Sequence, residues 1–109
     1  MTDKLATQYN NKQLEHILEE AFIYMCACPA QVAEQLLQLR KLFAYQMNCI
    51  SADSLMIEVH QRISESTRTA HLELEQCLHD VLKLEGWDPQ TLDMPVGLRQ
   101  LRQQVMDQE

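Results

Sequence analysis

A chain of 109 residues can bury one core but not two, and 46% hydrophobic against 23% charged residues is a folding composition rather than a disordered one. With 2 Gly and 3 Pro it has too few turn residues for an all-β chain of this length. The formal net charge of -7 repels phosphate backbones and anionic lipid, so nucleic acid and membrane surfaces are poor partners.

The first eight residues are polar and lack the apolar core of an export signal. The longest uncharged run, Ala21–Ala30, is too short to span a bilayer as a helix. A cytoplasmic setting follows as the expectation, with the four cysteines reduced or metal-bound.

Residues 1–10 show no sustained period and are expected to fray. Asn10 or Asn11 is suited to cap a first helix, because a side-chain amide can take an orphan N–H of the first turn. Leu14, Ile17, Leu18, Ala21, Phe22, Met25 and Cys28 then follow three-and-four spacing, with Glu15, Glu19 and Glu20 assigned to the solvent face. Pro29 lacks an N–H and is expected to end this helix near residue 28, leaving Cys28 as the cap of the next.

A second pattern over 30–49 carries Val32, Leu36, Leu39, Phe43, Met47 and Ile50, with Arg40 read as a cation near the helix C-terminus. Ser51 is the expected cap of a third helix over 52–85. Its stripe is read as Met56, Val59, Ile63, Thr67, Ala70, Leu74, Cys77, Val81 and Leu84, ending at Gly86. The run Ser64–Thr69 has low helix propensity and marks a possible break. Residues 87–109 read as a loop anchored by Trp87, then a short helix through Leu98, Leu101 and Val105. The expected fold is therefore all-α: one domain over 1–109, an antiparallel bundle of three long helices plus a short C-terminal helix.

Four residues are candidates for chemistry. Threading the helices antiparallel places Cys26, Cys28, His71 and Cys77 near one corner and Cys49 roughly 30 Å away. Thiolates with an imidazole suit Zn²⁺ or Cu(I), and a Cys-x-Cys pair could also act as a redox switch. Cysteine on an apolar stripe is more often a small buried hydrophobe. The Glu and His spacing of di-iron bundles is absent. No nucleophile–base pair or phosphate loop marks an enzyme. The reading reached is a non-catalytic protein-interaction or regulatory module. Homodimerisation is expected because the third helix outruns its neighbours. The alternative is a soft-metal or redox thiol site at the corner.

Overall fold

The computed structural model describes residues 5–23, 27–52 and 56–95. Among these are three helices and no strand: α1 (Asn11–Ile23), α2 (Ala27–Ala52) and α3 (Ile57–Glu85). The all-α expectation holds, while the C-terminal helix through Leu98 lies outside the described residues. No helix among the described residues is long and apolar enough to cross a membrane. The molecule is elongated, 59 × 26 × 18 Å.

Local chemistry sets two of the helix ends. Asn10 Oδ1 accepts from the Gln13 N–H at 2.8 Å, and Gln13 Oε1 accepts from the Asn10 N–H at 2.8 Å. This reciprocal box satisfies two donors at the start of α1. At the end of α3, Gly86 takes φ 80°, its N–H reaches the Lys83 carbonyl at 3.1 Å, and the Trp87 N–H reaches the Leu82 carbonyl at 3.0 Å. That pairing closes the last turn and turns the Trp87 indole inward, where it is buried with Leu82.

Other boundaries differ from those expected. Cys28 and Pro29 are the second and third residues of α2, so Pro29 does not end α1 and Cys28 is not a cap. A proline anywhere in the first helical turn removes only an N–H that would have had no helical partner. Ser51 lies inside the last turn of α2, and the residue preceding α3 is Met56, which makes no side-chain cap. α3 is continuous through Ser64–Thr69. There Ser64, Thr67 and Thr69 donate to the carbonyls of His60, Ile63 and Glu65 one turn back, at 2.8, 2.7 and 3.1 Å. The hydroxyls are thus satisfied within the helix instead of competing with it.

The helices pack antiparallel. Asn11 of α1 meets Arg40 of α2, and Arg40 and Met47 of α2 meet His71 and Ser64 of α3. The core sits at one end, where Leu14, Ile17, Ala33, Leu36, Leu78 and Leu82 converge with Trp87, Leu92 and Met94 of the loop. Each of the leucine, isoleucine and methionine side chains there contributes about 1.5–3 kcal/mol when fully buried. α1 runs back from Arg40 toward the start of α2. Among the described residues, the far half of the α2–α3 hairpin is therefore an arm without a third helix beside it. Among the described residues, Phe43 is the only buried apolar side chain between positions 41 and 70. Met47, Ile50, Ile57 and Ile63 of the arm are half-buried, the Arg68 guanidinium lies over the Phe43 ring at 5.3 Å, and His60 Nδ1 and Gln46 Oε1 are 2.6 Å apart.

Candidate functional site

Of the predicted corner, the described residues Cys28, His71 and Cys77 lie at different levels of the hairpin. Cys26 lies outside the described residues, Cys28 is exposed and Cys77 is half-buried. His71 is level with Arg40, twelve residues beyond Cys28, which separates His71 from Cys28 by about 18 Å along the helix axes. The cause is the register. Because α2 continues to Ala52 and α3 begins at Ile57, the hairpin turns later than an apex near residue 50 would allow. Cys28, exposed, is therefore level with the end of α3 near Lys83 rather than with Ala70–Glu73. Cys77 stands about 9 Å from His71 along α3, and Cys49 stands about 30 Å from Cys28 along α2.

His71 instead belongs to a buried polar cluster. Arg40 Nε donates to His71 Nε2 at 3.0 Å, so the imidazole is neutral with its proton on Nδ1. That nitrogen faces Glu75 Oε1 at 3.7 Å. Glu75 Oε2 accepts from Arg40 Nη2 at 3.2 Å and from the backbone N–H groups of Gln8 and Tyr9 at 2.8 and 3.1 Å. Arg40 also donates to the Tyr9 carbonyl through Nη2 and to Asn11 Oδ1 through Nη1, both at 2.6 Å.

The cluster joins α2, α3 and the segment before α1. Residues 8–10 are consequently strapped down rather than frayed, and Tyr9 is buried. The side chains of His71 and Glu75 are 1% exposed and that of Arg40 13%. Burial pushes the His71 pKa down, partly opposed by Glu75 and reinforced by Arg40. Burial also lowers the Arg40 pKa, with Glu75 acting the other way. The Tyr9 hydroxyl is shifted up by burial and then by the charges of Glu75 and Asp80. With His71 and Glu75 closed to solvent, the cluster acts as a lock that ties α2, α3 and residues 8–9 together at one register.

The lock explains which face of α3 is covered. The buried positions are Ser64, Thr67, His71, Glu75, Leu78 and Leu82, which share only Thr67 with the stripe read from the sequence. That other stripe lies about a quarter-turn away at 100° per residue. It remains half-buried at Ile63, Leu74 and Val81 and exposed at Val59 and Leu84. The antiparallel register puts Val32, Leu39 and Ile50 of α2, all half-buried, beside it on the side away from α1. An apolar flank thus runs along the open face of the hairpin.

Sequence reading missed Arg40 and Glu75. Their signal is the spacing Leu36, Arg40, Phe43 on α2 and His71, Glu75, Leu78 on α3, which puts opposite charges on the two facing stripes. Glu20 was also misplaced: it is 8% exposed and its Oε1 accepts from the Met94 N–H at 2.9 Å. In α1, Phe22 points to solvent instead. No protein-family model, curated protein or solved structure matched the chain in comparison.

Proposed function

We propose that the protein is a non-catalytic helical interaction module that acts as a homodimer through the open face of the α2–α3 hairpin. The observation that supports this is the second apolar stripe of α3. It follows helical spacing from Val59 to Leu84, about 38 Å, while α3 buries a different stripe against α2. Leu84 alone is 86% exposed. A lone exposed leucine is ordinary, but a stripe in register along a whole helix reads as a docking surface.

A second copy is the occupant whose length fits. The stripe runs along most of the length of α3. Another α2–α3 hairpin matches it along its length and completes a four-helix arrangement with two-fold symmetry. The sparse apolar core of the arm supports the same reading, since two arms would cover each other.

Sedimentation velocity tests the proposal. The wild-type chain is expected to sediment as a dimer, and Val59→Glu with Leu84→Glu as a folded monomer with unchanged helical circular dichroism. A monomeric wild type, or a double variant that still dimerises, overturns it.

A further inference from the structure

We infer that His16, Glu20 and Asp93 form a binding site for a divalent transition cation of the Zn²⁺ class, clamping α1 to the loop after α3. One ligand atom from each of the three lies within 4.8 Å of the other two. His16 and Glu20 are four apart on α1 and project from the same face. Asp93 arrives from 73 residues further along the chain than Glu20, so the grouping is tertiary and not a local run of acids.

Glu20 and the loop that carries Asp93 are held before any cation arrives. Glu20 is buried and oriented by the Met94 N–H. Asp93 sits in a tight loop. There the Asp88 N–H donates to the Asp93 carbonyl at 3.2 Å, and Asp88 Oδ1 accepts from the N–H groups of Gln90 and Thr91 at 2.8 and 3.0 Å. Leu92 takes φ 59° there and buries its side chain. Non-ligating contacts of this kind fix ligand direction and raise affinity.

The separations suit the metal. His16 Nε2 and Asp93 Oδ1 are 2.7 Å apart and share a proton as a hydrogen bond. Bonds of about 2.1 Å from nitrogen and oxygen at a tetrahedral centre place two ligand atoms about 3.4 Å apart. Replacing the shared proton by the cation therefore opens this pair by about 0.7 Å, within reach of side-chain rotation. One imidazole and two carboxylates are a nitrogen–oxygen donor set, distinct in hardness from the cysteine corner. The His16 and Asp93 side chains are partly exposed, which leaves room for water as a fourth ligand.

Co²⁺ titration of the full chain after chelator treatment, followed by visible absorption, tests the site. The expected result is one Co²⁺ per chain, d–d bands without thiolate-to-cobalt charge transfer, and displacement by Zn²⁺. His16→Ala and Asp93→Asn should each weaken binding at least about tenfold while helical circular dichroism is retained. If His16→Ala unfolds the chain, the near-isosteric Asp93→Asn carries the test. Failure of the wild type to bind, a thiolate charge-transfer band, or unchanged affinity in Asp93→Asn overturns the inference.

Discussion

Replacing Glu75 by Ala removes the acceptor on which three donors converge. The Arg40 guanidinium is left charged at 13% side-chain exposure, and the N–H groups of Gln8 and Tyr9 lose their common partner. Breaking a buried pair by deleting one member costs about 3–5 kcal/mol, chiefly because the remaining charge is uncompensated. The two amide donors would add to this if they stayed buried. They are freed when residues 8–10 peel away, but the burial of Tyr9 is then lost, about 1.5–3 kcal/mol as an upper bound. Arg40 is bonded to that same segment, so its release also brings water to the guanidinium and the two costs overlap rather than add. The expected loss is about 3–5 kcal/mol, and at roughly 4–8 °C per kcal/mol the lower figure lowers Tm by about 12–24 °C. Urea unfolding followed by Trp87 fluorescence and by far-ultraviolet circular dichroism measures it. The double replacement Arg40→Met with Glu75→Leu, which removes both charges, should be markedly more stable than Glu75→Ala. A loss below about 1 kcal/mol for Glu75→Ala, or a double variant no better than the single, would refute the lock.

Two further outcomes follow from the same structure. The folded pKa of His71 is depressed by burial, so the unfolded chain binds more protons below the ordinary imidazole value of about 6.5. Its contribution to stability is therefore complete above that pH and lost as pH falls below it, and His71→Gln should flatten the measured dependence between about pH 7 and 5. A variant with the wild-type slope would show that His71 is not the group titrating. Gly86→Ala places a Cβ in open space but at φ 80°, so the cost is conformational alone, about 1 kcal/mol by thermal unfolding. A loss of several kcal/mol would mean that packing, not backbone geometry, selects glycine there.

The cysteine corner illustrates why spacing did not suffice to locate a site. Counting residues along two helices places side chains well only when the apex between them is known, and here the apex lies later than assumed. A shift of that size moved His71 from the corner to the middle of the hairpin. The face of Glu20 was misjudged for a related reason. Its side chain looks outward on an isolated α1, and only the loop bearing Asp93 and Met94 turns that direction inward.

What the sequence by itself determined was local. Helix propensity and three-and-four spacing produced three helices, Asn10 capped the first, Gly86 ended the third, and Trp87 drove the following loop into the core. These depend on neighbours within a turn or two, so their physics is present in the linear order. Tertiary structure decided which of the two stripes of α3 would be covered. One stripe is richer in apolar side chains, yet the buried one carries Ser64, Thr67, His71 and Glu75. The small hydroxyl residues bond to their own helix, and Arg40 arriving from α2 neutralises Glu75 and engages His71. A polar stripe can be buried when its partners come from distant positions, and those partners exist only after the hairpin has closed.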